Sequence, residues 1–198
     1  MELIIHKINT IRELRKIPKK FGTEIDIRAW GSNLILNHEP YYNGEKLEDY
    51  LDAYNHGTLI LNIKETGIEK DVLDLVKKRP KINQYFLLDV ETPYLFDALK
   101  SNEKNIAIRF SEIESIETVK YYIGKVNWVW IDTIEFLPLN IDNIEIINKF
   151  KKCLVCPSRW NQKHKIKTYF NILKKLNINI DSVMTSFDNI SNYSEYMI

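Results

Sequence analysis

Short apolar runs recur along the chain, each about long enough for one strand: LIIHKI, TEIDI, LILNIK, YFLLDV, IAIRF, WVWIDTI, CLVCP and SVMTS. Between them lie stretches whose apolar residues return every three or four positions, the helical period: TIRELRKIPKKF, KLEDYLDAYN, EKDVLDLVKKR, TPYLFDALKS, SIETVKYYIGKV, NIEIINKFKK and KHKIKTYFNILKKL. Strand and helix alternate about eight times, the pattern of parallel β–α units. Several of the strands are nearly continuous apolar runs, as burial on both faces requires. With no Gly-rich first turn, the pattern predicts a compact (β/α)8 TIM barrel rather than an open sheet. Such barrels typically have about 250 residues, and this chain has 198. The expectation is therefore one barrel domain over residues 1–198, trimmed or slightly distorted.

The strand TEIDI breaks the apolar pattern, because Glu24, Asp26 and Arg28 fall on one face at the two-residue period of a strand. The other polar residues gather at the same place in their runs, the C-terminal ends: His6, Asn62 and Lys64, Asp89 and Glu91, Arg109, Asp132, Ser158 and Arg159, Thr185 and Ser186. In a barrel those ends converge on the face where active sites are built. Two carboxylates at this spacing suit a hard divalent cation, Ca²⁺ or Mg²⁺. Lys64 and Arg109 supply positive charge for a phosphate, and His6 and His38 are candidates for proton transfer. The competing reading makes Glu24 and Asp26 ion-pair partners of Arg28, Lys64 or Arg109.

Composition narrows the partners. Lys plus Arg total 28 and Asp plus Glu 27, a formal net charge of +1, so no general field attracts nucleic acid or an anionic membrane, and an anion must be recognised locally. The start MELIIHKINT has no basic segment followed by a long apolar run, and no stretch reaches about 18 consecutive apolar residues. The expectation is a cytoplasmic protein without membrane insertion, acting on a small molecule, with its oligomeric state open. The lone CxxC, Cys153 and Cys156, lacks a second Cys pair to complete a metal tetrad and reads as two thiols in a buried strand. Trp128, Trp130, Tyr85 and Phe86 read as packing residues, His56 and His164 as surface residues. The Tyr-rich ending SNYSEYMI reads as packing or as a dimer surface.

The stretches IIHKI, TEIDIRAWGSNLILNHEP, LILNIKE and SVMTSFDN together resemble the glycerophosphodiester phosphodiesterase family. That family has a first strand ending in His-Arg-Gly, Glu-x-Asp on strand two, a hairpin followed by His-Asp, Glu-x-Lys on strand three, and Thr-Asp near its end. The resemblance implies His6 and His38 as the acid/base pair, Glu24 and Asp26 as ligands of Ca²⁺ or Mg²⁺, and Lys64 as a phosphate contact. The implied reaction is metal-assisted hydrolysis of a glycerophosphodiester-like compound or a sugar- or glycerol-phosphate conjugate. The chain departs from the pattern: Lys7 and Ile8 replace Arg and Gly, Glu39 replaces Asp, the Glu-Asn-Thr segment is not evident, and Asn62 stands where a third metal carboxylate is expected. Lys7, Arg28, Asn62, Arg109 and Arg159 complete the candidate substrate and phosphate contacts. The alternatives are a degenerate barrel that binds a phosphorylated ligand, and a barrel lyase or isomerase on a sugar phosphate. The lyase or isomerase reading makes Lys64 the base or Schiff-base amine and places the phosphate at Ser158, Arg159, Thr185 and Ser186.

Overall fold

The computed structural model describes residues 1–196. It divides into two compact units, Ile4–Ser101 and the described part of Asn102–Ile198 with Met1–Leu3. Each is mixed α/β and built on parallel strands.

In the first unit, β1 (Glu2–Ile5) contributes Ile4 and Ile5, which pair with the start of β2 (Gly22–Trp30). β2 continues in parallel with β5 (Leu59–Ile63), and β5 with β6 (Tyr85–Leu88). Helices α1 (Ile11–Leu14), α2 (Leu47–Ala53), α3 (Glu69–Lys77) and α4 (Thr92–Lys100) fill the connections. β5 is buried at every position, the polar Asn62 included. The helical pattern after β1 yields only four residues of helix, opened by the Thr10 hydroxyl accepting the Glu13 N–H. Pro18 lies soon after, where a helix of any length would lose a backbone donor.

β2 is longer than its apolar run. Beyond Ile27 it leaves β5 and turns back as a hairpin with β3 (Asn33–Leu36), from Ile27↔Leu36 to Trp30↔Asn33, and β3 pairs with the short β4 (Glu45–Lys46). The loop between β3 and β4 carries His38. It is folded on itself: Asn37 Nδ2 donates to the Asn43 carbonyl and the Gly44 N–H to Asn43 Oδ1. Gly44 packs so closely on the Leu36 carbonyl that an added Cβ would lie 2.1 Å from its oxygen. Gly44→Ala is therefore expected to destabilise the protein by about 1–3 kcal/mol, the range of overpacking, read as a lower urea midpoint. An unchanged midpoint would show that the loop relaxes freely.

In the second unit, β7 (Ala107–Phe110), β8 (Trp128–Ile131), β9 (Lys151–Val155) and β10 (Ser182–Thr185) pair in parallel in that order. The intervening helices are α5 (Ile116–Tyr121), α6 (Ile144–Ile147) and α7 (Ile166–Lys175). Among the described residues β6 pairs with β5 alone and β7 with β8 alone, so the strand ladders do not close the ring that a complete barrel needs. What the structure gives is a mixed α/β fold with a largely parallel sheet.

Cys153 and Cys156 are free and buried, and burial pushes the Cys153 thiol up to about 12, which suits packing and not redox chemistry. Trp128, Trp130 and Phe86 are core residues. At the chain end Tyr193 is fully buried and meets Phe170 edge-on, while Tyr196 stacks on the same ring at 4.0 Å. That ending packs on α7, with Met197 and Ile198 outside the described residues. His56 is half-buried with Nε2 2.9 Å from the Ile17 carbonyl, which makes it a structural histidine rather than a surface one.

Candidate active site

β2 places Glu24 and Asp26 on one face, and each is only 1% exposed. An uncompensated carboxylate at such depth is costly, so the partners of these two define the site. The chain leaving β1 supplies several. The Lys7 N–H donates to Glu24 Oε2 at 2.7 Å and the Ile8 N–H to the Glu24 carbonyl at 2.9 Å. Asn9 pairs reciprocally with Asp26: its Nδ2 donates to Oδ2 at 2.9 Å, and its Oδ1 accepts the Asp26 N–H at 2.8 Å. To make this turn Lys7 takes a left-handed φ of 59°, a conformation that costs a non-glycine residue energy and is found at functional sites.

β5 supplies the rest. Asp26 and Asn62 are register partners. Asn62, 7% exposed, donates from Nδ2 to Glu24 Oε1 at 2.8 Å. Lys64 Nζ lies 3.3 Å from Asp26 Oδ1 and 3.8 Å from Asp89 Oδ2. Asp89, just past β6, is also left-handed, with a φ of 60°. His6 completes the group, its Nε2 being 3.8 Å from Glu24 Oε2.

Burial is the main influence on Glu24 and repulsion from Asp26 the next; both raise its carboxyl. The Asn62 and Lys7 donors and the Lys64 charge offset them only in part, which leaves Glu24 at about 7. Two buried oxygens, Asp26 Oδ1 and Asn62 Oδ1, have no hydrogen bond. For Asp26 Oδ1 the Lys64 ammonium is close enough to form an ion pair without being aligned as a donor.

His38 lies outside this buried set. Its Nδ1 is 2.6 Å from Glu39 Oε1, and the side chains are 35% and 60% exposed. A carboxylate only accepts, so Nδ1 carries the proton and Nε2 is left as the basic nitrogen. The same bond holds the Glu39 carboxyl below its ordinary value. Arg28 reaches two backbone carbonyls: Nε and Nη2 donate to His38 O at 3.2 and 3.0 Å, and Nη1 to Lys64 O at 3.0 Å.

The structure thus brings His6, Lys7, Glu24, Asp26, Asn62 and Lys64 together, and joins His38 to them through Arg28. Glu65, the next residue after Lys64, accepts the Ala29 N–H through Oε2. Among the described residues no group of three or more His, Cys, Asp or Glu side chains is placed to hold a metal ion. Arg109 and Arg159 belong to the second unit. There Arg109 bridges Asp132 at 2.8 Å and Glu114 at 3.3 Å. Asp132 Oδ1 also accepts Trp160 Nε1 at 2.7 Å. Ser158 and Ser186 both accept from Asn189 Nδ2. Sequence reasoning did not find Asn9, which sits 17 residues from the carboxylate it orients. The one signal was a polar Asn-Thr pair where β1's run gives out.

No family model matches the chain, and no curated protein matches it. Among solved structures, a presumed glycerophosphoryl diester phosphodiesterase of Agrobacterium tumefaciens is similar, with a TM-score of 0.67. The match covers 99% of this chain and 98% of that one, at 9% identity. The likeness is one of fold. At that identity the site residues must be argued from their own geometry. Among the described residues, no helix is long and apolar enough to cross a membrane.

Proposed function

We propose that the protein is a metal-assisted phosphodiester hydrolase acting on a glycerophosphodiester-like or sugar- or glycerol-phosphate conjugate. The observation that carries the reading is the buried pair Glu24 and Asp26, with Lys64 and His6 against it. The shared fold supports it at a coarser level.

A divalent cation fits the residues present. Asp26 Oδ1 and Asn62 Oδ1 are buried oxygens without hydrogen bonds on register-paired positions, and Glu24 adds a carboxylate beside them. Glu24, Asp26 and the Asn62 carbonyl oxygen would hold Ca²⁺ or Mg²⁺, whose contribution is to neutralise the phosphate oxygens. The remaining work falls to the chain. Lys64 offers its ammonium to a phosphate oxygen, and Lys7, whose N–H donates to Glu24 on the β1 side, is kept as a candidate phosphate contact. His38 Nε2 takes the proton of a neighbouring substrate hydroxyl as its oxygen bonds to phosphorus and closes a cyclic phosphate ester, and His6 protonates the alcohol oxygen as its bond to phosphorus breaks. Their roles reverse when water opens the cyclic ester.

Asn62 is also the observation that favours a second reading, a domain that binds a phosphorylated ligand without hydrolysing it. An amide ligand brings no charge, and cation affinity follows ligand charge. Asn62→Asp decides how far that matters. It is expected to lower the thermal midpoint by a few degrees in chelator, because a third carboxylate then faces Glu24. It should also tighten Ca²⁺ binding at least about tenfold by titration calorimetry. Unchanged affinity would remove the cation from this site.

A further inference from the structure

Arg28 lies two residues beyond Asp26, where β2 has left β5 and pairs only with β3. Backbone carbonyls at the ends of strands and in loops lack a ladder partner and must find another donor. Two of these belong to candidate catalytic residues, His38 in the β3–β4 loop and Lys64 just past β5. Arg28 satisfies both at once, with two N–H groups on the His38 carbonyl and one on the Lys64 carbonyl. The flanking backbone is fixed in the same way. The Asn37 N–H donates to the Asp26 carbonyl and the Lys64 N–H to the Ile27 carbonyl, each at 3.0 Å.

We propose that Arg28 is a positioning residue, not a phosphate contact: its planar fork ties the His38 loop to the end of β5, so that the histidine and Lys64 are held in one fixed arrangement. Only a guanidinium does this, since a lysine ammonium is a single point on a flexible stem and cannot serve two separated carbonyls in a plane. The geometry also explains how a half-buried loop histidine, whose side chain is hydrogen-bonded to its sequence neighbour Glu39, is placed well enough for proton transfer. The catalytic consequence rests on the phosphodiesterase reading; the clamp itself does not.

The test uses the whole chain with Arg28→Gln and Arg28→Lys, the second retaining charge and stem if the first fails to fold. Amide hydrogen exchange is followed at Asn37 and Lys64, with Ile60 and Leu61 in the core of β5 as references. Inorganic phosphate binding and turnover of a glycerophosphodiester are measured in parallel. In both variants exchange at Asn37 and at Lys64 is expected to accelerate together, at least about tenfold, with the references unchanged. Phosphate affinity should stay within about twofold and kcat should fall about 10–100-fold with little change in KM. Unchanged exchange at either amide would overturn the proposal. So would a loss of phosphate affinity beyond about tenfold with exchange intact, which would make Arg28 a phosphate contact. If the wild-type protein turns over no diester, the hydrolase reading fails and the exchange result still decides the clamp.

Discussion

His38→Ala is expected to reduce phosphodiester turnover by about 10²–10⁴-fold, the range supplied by a positioned acid or base, while leaving the thermal midpoint within about one degree. The two effects separate because of where the side chain sits. His38 is 35% exposed and its partner Glu39 60% exposed, and pairs of that kind contribute little to stability. The backbone of His38, which Arg28 grips through its carbonyl, is untouched by the substitution. Glu39→Gln should act more mildly. The carboxylate accepts from Nδ1 and so fixes the tautomer that leaves Nε2 as the basic nitrogen, and its loss should cost less than the removal of the ring. A His38→Ala protein that turns over diesters as fast as wild type would end the assignment of this histidine as a base.

Glu24→Gln is expected to make the metal-free protein more stable at pH 8 while reducing cation-dependent turnover at least about 100-fold. The folded-state carboxyl of Glu24 lies at about 7, above its ordinary 4.5, because burial and the neighbouring Asp26 oppose its ionisation. The folded state therefore holds this proton more tightly than the unfolded chain. The stability it contributes is fully present below about pH 4.5 and is lost as pH rises through about 7. In chelator the thermal midpoint of the wild type should accordingly fall between pH 5 and pH 8. Glutamine removes that dependence, and its amide fits: Oε1 can accept the Lys7 N–H, and Nε2 can donate to Asn62 once the Asn62 amide turns over to present its now unbonded Oδ1. The gain at pH 8 should be about 1–3 kcal/mol, since raising a carboxyl tenfold in proton affinity on folding is worth about 1.4 kcal/mol. Thermal unfolding of both proteins at the two pH values checks this, and parallel pH slopes would show that Glu24 is not the group responsible.

Much of this arrangement is legible in the sequence because it follows from periodicity. The apolar runs from LIIHKI to SVMTS became strands, and the polar residues at their ends, His6, Glu24, Asp26, Asn62 and Lys64, came together because a two-residue period fixes which side of a strand each one faces. What pattern could not supply are contacts set by loop paths. Asn9 meets Asp26 only because the chain turns sharply at Lys7, a left-handed position that nothing in a lysine announces. Arg28 was legible as a cation on the carboxylate face, but its use on two carbonyls depends on where the β3–β4 loop returns. β2 runs past its apolar stretch because Arg28, Ala29 and Trp30 form a hairpin arm outside the apolar core. Ring closure lay beyond the pattern as well, since alternation counts β–α units and is silent on whether the outermost ladders meet.

The measurement that bears most directly on the central claim is phosphorus NMR of the purified protein with a panel of glycerophosphodiesters, in Ca²⁺, in Mg²⁺ and in chelator, with His38→Ala run alongside. The account predicts cation-dependent conversion to a cyclic or open monoester that the chelator and the substitution both abolish. Diesters left intact under every cation by a folded protein, or converted equally well by His38→Ala, would contradict it.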